Sequence, residues 1–197
     1  MADNTPTLVS GEPQRPRAQF VATGFAIAAA AMMVAGALGM YMARRHASGI
    51  HPGSEWLNGL KVPNPQFDYA LLTLYTSIVT AHWALWASRR RDTAHAWTAI
   101  ATTIVLGLGF VNMVIYSLNR MELEIGSGEY PNLAFATTGL SLALVVVGLI
   151  YLGLMGLRSV GGSVGQHGST PLGSAVFFWD FVAVAWTVTW YAVYVVK

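Results

Sequence analysis

The sequence predicts an all-α integral membrane protein, a bundle of five transmembrane helices. Composition and length together carry that reading. Of the 197 residues, 54% are hydrophobic and 10% are charged, whereas a typical soluble domain carries about 25% charged residues. Too little polar surface is left to face water. Five apolar runs are each long enough to cross about 30 Å of hydrocarbon at about 1.5 Å per residue.

The first run, about Phe20–Ala43, ends at Arg44-Arg45. It exceeds the 7–15 apolar residues typical of a signal-peptide core, so it reads as a membrane anchor. The second, about Phe67–Ala87, is separated from the third, about Ala94–Ser117, by Arg89-Arg90-Arg91-Asp92. The fourth, about Leu133–Leu157, stops at Arg158 and a glycine-rich stretch. The fifth, about Ala175–Val196, closes the chain. Ahead of them, Met1–Gln19 is polar, holds three prolines and lacks apolar periodicity. Such a tail does not order alone; it is expected to dock along a partner subunit.

The positive-inside rule sets orientation. With the N-terminus inside, inner segments hold six basic residues (Arg15, Arg17, Arg89, Arg90, Arg91, Arg158) and outer segments five (Arg44, Arg45, Lys61, Arg120, Lys197). The compact Arg89–Arg91 cluster favours N-inside and C-outside. The formal charge of +2 and the lack of a basic face argue against nucleic acid. The chain has no cysteine, which excludes disulfides, thiolate metal sites and cysteine catalysis.

In lipid, helices associate through close approach of small residues and hydrogen bonds. Gly24, Ala28, Ala31, Ala35 and Gly39 recur at steps of three and four, making a smooth face on the first helix. Thr137, Ser141 and Gly148 do the same on the fourth. Thr73, Thr76, Ser77 and Thr80 line a stripe on the second; their hydroxyls are expected to bond to their own helix or a neighbour. No span shows the Gly/Pro-broken centre of many secondary transporters.

Few ionisable groups fall inside the spans. Asp180 stands about five residues into the fifth, His82 about five from the inner end of the second, and His95 opens the third. By this count all three share the inner third of the membrane, with Asp180 roughly 7–8 Å deep. A carboxylate at the bilayer centre costs about 2.5–3.5 kcal/mol on insertion scales. Three readings stay open for Asp180: a cap or anchor at a helix end, an ion pair with one or both histidines, or a proton relay. His82 faces no second deep histidine, so a haem or copper ligated by this chain is not expected. Met32, Met33, Met40 and Met113 read as packing. His46, His51 and Glu55 are too loosely spaced to mark a metal site. No nucleophile motif, phosphate loop or carboxylate pair is present, so the chain reads as non-catalytic.

Several stretches together resemble the short, five-helix bacterial form of subunit III of haem-copper (cytochrome c) oxidases. Thr76-Ser77-Ile78-Val79-Thr80-Ala81 before an arginine-rich turn is similar to the family's second helix. Leu106-Gly107-Leu108-Gly109-Phe110 is similar to its third. Thr138-Gly139 with Gly148-Leu149-Ile150-Tyr151-Leu152 resembles the fourth. Phe177-Phe178-Trp179-Asp180-Phe181-Val182, with Tyr191 and Tyr194 beyond, resembles the last. The resemblance runs from about Phe20 to the C-terminus. The chain departs from the family in lacking a glutamate in the first helix. It has Ser141 and Leu144 where the fourth helix usually carries histidines, and Phe177 where the last motif opens on one. Apolar or small residues near Val114 and Ser117 stand where the third helix usually carries a glutamine and a glutamate.

The resemblance implies a non-catalytic subunit of a respiratory terminal oxidase in the bacterial plasma membrane. It implies a larger polytopic catalytic partner that holds the haem and copper. It also implies bound phospholipid and a role in stabilising the catalytic subunit. The alternatives are an accessory subunit of another membrane metalloenzyme (a nitric oxide reductase or a copper monooxygenase) or, from a different class, a small transporter.

Overall fold

A computed structural model describes residues 16–48, 56, 62, 64–121, 128–161 and 170–196. They form five long helices: α1 (Pro16–Ala47), α2 (Asn64–Arg89), α3 (Thr93–Arg120), α4 (Glu129–Gly156) and α5 (Thr170–Trp190). A π-wound turn continues α4 over Leu157–Gly161, and another continues α5 over Tyr191–Val195. All five helices are long and apolar enough to cross a membrane. Most of the tail, residues 1–15, lies outside the described residues; Pro16–Gln19 begin α1.

Local chemistry explains the boundaries. Pro16, Pro65, Pro131 and Pro171 all sit in first turns, where a missing N–H costs nothing. Arg44, Arg45 and His46 close α1, where positive charge meets the negative end of the helix dipole. Between α2 and α3 the chain reverses through Arg91, whose φ is 60°, the left-handed conformation that a tight reversal demands. Asp92 then caps α3 by accepting the backbone N–H of His95 at 3.2 Å. That donor, ahead of the His95 ring, holds the exposed Asp92 carboxyl below the usual carboxylate range.

The helices pack as two hairpins, α2–α3 and α4–α5, with α1 lying against α4 and α5. α5 is central: 67% of its membrane window is buried, against 17% for α1. Close approach depends on glycine. A Cβ on Gly148 would meet the Trp179 ring at 2.9 Å, and one on Gly156 would meet Ile100 at 3.0 Å. Gly107 is overlaid by Leu149. Hydroxyls complete the seams. Thr80 and Thr103 bond at 2.8 Å, Ser141 and Thr189 at 2.9 Å, and Tyr151 and Ser174 at 2.9 Å. Trp179 Nε1 donates to Ser77 Oγ at 3.0 Å. On the α2 stripe, Thr73 and Thr76 instead bond back to the carbonyls of Tyr69 and Leu72.

The two small-residue stripes have different fates. Thr137, Ser141 and Gly148 are buried, with Ser141 and Gly148 against α5. On α1 the buried positions are Thr23, Ala30, Val34 and Tyr41. Ala28, Ala35 and Gly39 are exposed, Gly24 and Ala31 half-buried, and a Cβ on Gly24 or Gly39 would meet nothing within 4 Å. The face with Ala30, Val34 and Tyr41 is the one buried where α1 lies against α4 and α5, which turns the smooth face outward.

Candidate functional site

Asp180 and His82 face one another. His82 Nε2 lies 3.5 Å from Asp180 Oδ2. α5 starts at Thr170, five residues before the apolar run begins, because Pro171, Gly173 and Ser174 fit a helix start and are buried. Asp180 is therefore ten residues into its helix, and His82 seven from the end of α2. At about 1.5 Å per residue these are depths of roughly 15 and 10 Å from the helix ends, deeper than sequence counting placed them. Asp180 is not a helix cap.

His95 does not join them. Its Nδ1 lies 2.7 Å from Asp92 Oδ2, because the acid three residues upstream on the cap is its nearest partner. Its ring also sits edge-on to Trp83, 6.2 Å between centroids. The expected three-residue cluster is thus two pairs, one within the bundle and one at the α2–α3 turn.

The hydrogen bonds of His82 constrain the pair further. Its Nδ1 lies 3.0 Å from the carbonyl oxygen of Ile78. A carbonyl only accepts, so Nδ1 carries a hydrogen. Nε2 faces the carboxyl on the other side, so the imidazole links the backbone of α2 to α5. Nor is the pair sealed: the His82 side chain is 52% exposed from this chain and that of Asp180 36%. Asp180 Oδ1 is buried without a donor.

The pair borders a groove. α1 and α2 barely touch, and between them α5 presents an exposed line of Phe177, Val184, Val188 and Tyr191. At one end Gly173 is bracketed by Phe20 of α1 and Leu85 of α2. Tyr75 and Thr187 bond across the α2 edge at 2.9 Å, two turns from the ion pair.

A second cluster, at the opposite end of the bundle, escaped sequence reasoning. Tyr41, Trp56 and Tyr130 meet edge-on with centroids 5.8, 5.9 and 6.4 Å apart. Phe67 stacks on Tyr194 at 3.9 Å. Tyr41 and Tyr130 hydroxyls approach the Val193 carbonyl at 3.5 and 3.4 Å, and Arg45 donates to that of Val196 at 2.8 Å. These donors satisfy carbonyls that the end of α5 leaves open. No common spacing links residues from four helices and Trp56; only the run of tyrosines after Asp180 hinted at it.

Among the described residues no three His, Asp or Glu side chains gather as metal ligands. His51 and Glu55 lie outside the described residues. Among the described residues the arrangement offers a carboxyl–imidazole pair, an apolar groove and an aromatic clamp.

Residues 19–197 match the family model for cytochrome c oxidase subunit III. The chain belongs to that family. Relatives within it include the probable cytochrome c oxidase subunit 3 of Rickettsia prowazekii, 35% identical over 127 residues, which are 64% of this chain and 45% of the relative. The blue whale (Balaenoptera musculus) cytochrome c oxidase subunit 3 is 30% identical over 147 residues, 75% of this chain and 53% of that protein. The matched stretch thus spans about half the length of these relatives. The Corynebacterium diphtheriae cytochrome c oxidase subunit 3 is 30% identical over 187 residues, 93% of this chain and 90% of that one. The subunit III family membership and the five-helix membrane architecture agree with the resemblance seen in the sequence.

Proposed function

We propose that this subunit III chain is a non-catalytic component of a haem-copper terminal oxidase. It would pack against a larger polytopic catalytic subunit, which carries the haem and copper, and stabilise it together with bound phospholipid. The observation that carries this reading is the near end-to-end match to the corynebacterial subunit 3, 93% of one chain against 90% of the other. The family match over residues 19–197 supports it as well.

The N-terminus lies inside and the C-terminus outside, in a bacterial plasma membrane. Arg90 stacks over Trp86 at 4.0 Å, and Trp83 and Trp97 are also exposed near this end. Tryptophan and arginine together suit the interface on the positive side. The polar tail then lies on the inner side, along the partner.

The test is a gentle detergent pull-down from native membranes. The eluate is read by a reduced-minus-oxidised optical spectrum and by mass spectrometry. Haem bands with a large polytopic chain are expected. A haem-free eluate holding copper-enzyme subunits would move the chain to another complex. A lone chain would overturn the subunit reading and bring forward a transporter.

A further inference from the structure

The groove between α1 and α2 is the next place to look, because it combines three independent features. Its floor is an apolar line on α5, with Phe177 48%, Val184 62% and Val188 50% exposed. Its end is shut by Phe20 and Leu85 over Gly173. Its α2 edge carries the His82–Asp180 pair, half-open and well inside the span. Hydrocarbon chains satisfy the first two features and not the third. A polar pair facing lipid is costly, and intramembrane ionisable groups almost always face protein or a watered cavity. The described helices do not cover this pair, since α1 lies across α4 and α5 and barely touches α2.

We infer that this groove is the docking face for a transmembrane helix of the catalytic partner, one presenting an N–H or O–H donor at the level of Asp180. The inference deepens the proposed function by naming the surface the partner covers. The carboxyl meets His82 through Oδ2, which keeps a second lone pair, while Oδ1 is buried within this chain. A hydroxyl, amide or cationic side chain would complete it, and the apolar floor would take the rest of that helix. An acyl chain would leave the pair as open as before.

The experiment uses the purified complex. A photo-crosslinking p-benzoylphenylalanine replaces Val184 in the groove or, separately, Val105, 67% exposed on α3. A covalent adduct with the large polytopic subunit is expected from position 184. A yield several-fold lower is expected from position 105. Adducts from 184 with lipid alone, or a stronger yield from 105, would overturn the inference even though the partner co-purifies. Failure of the partner to co-purify at all would instead overturn the proposed function. A second variant set reads the polar contact. Asp180→Leu is expected to lose the partner at a several-fold lower detergent concentration than the native chain, with Asp180→Asn, which keeps a carbonyl acceptor, in between. Equal retention of all three chains would show that the carboxyl plays no part in docking.

Discussion

Asp180 meets a partner within its span, the His82 imidazole 3.5 Å away. His82→Phe removes that partner. The expected loss is about 1 kcal/mol, the scale of an interhelical hydrogen bond in lipid, read as an earlier unfolding midpoint in a detergent titration. Tighter constraints lie elsewhere. Gly148→Ala would push a methyl into the Trp179 ring, whose nearest atom is 2.9 Å from the new carbon. Overpacking of this kind costs about 1–3 kcal/mol, and Tm in detergent is expected to fall accordingly. Trp179→Phe removes the bond to Ser77, 102 residues away in sequence, while Ser77 still donates to Leu74. Its cost is expected near 1 kcal/mol, measured the same way. Counting residues along apolar runs was enough to put His82 and Asp180 at a common level. It misjudged their depth, because Pro171, Gly173 and Ser174 look like loop and are in fact a buried first turn. It also joined His95 to the wrong acid, since a cap three residues upstream outcompetes any partner across the bundle.

At the scale of elements, the five spans were legible because lipid demands an unbroken apolar helix and charge ends it. With the π-wound continuations of α4 and α5 counted, each helix contains its apolar run, Val196 excepted. What remained hidden was facing. α1 has a small-residue stripe that, taken alone, points to packing. The face beside it, with Val34 and Tyr41, is the one buried. Periodicity finds a face without saying which neighbour it meets. The α2–α3 turn carries its own prediction. Asp92 has its folded-state pKa lowered by the His95 N–H. Its stabilising effect is therefore complete above the ordinary carboxylate pKa near 3.9. That effect is lost as pH falls through the lowered folded value. Amide exchange at the start of α3 is expected to quicken below that range, and Asp92→Asn is expected to abolish this acid dependence.

At the scale of the whole molecule, the bundle has two unlike ends. One carries the Arg89–Arg91 turn with Trp83 and Trp86; the other carries Tyr41, Tyr130 and Tyr194 around the end of α5. The proposed orientation, N-terminus inside, is directly checkable, because the chain has no cysteine of its own. Arg91→Cys is expected to stay unlabelled by an impermeant maleimide in intact spheroplasts, while Gly128→Cys is expected to react. The reverse pattern would invert the topology. The position of α1 also has a bearing on how the protein is made. Its seams are with α4 and α5, and 122 residues separate Ala47 from Thr170. At ribosomal speeds of about 5–20 residues per second, α1 leaves the translocon and waits in lipid roughly 6–25 s before its last neighbour is synthesised. A helix that must wait that long unaccompanied is best built as this one is, without a single charge between Phe20 and Ala43.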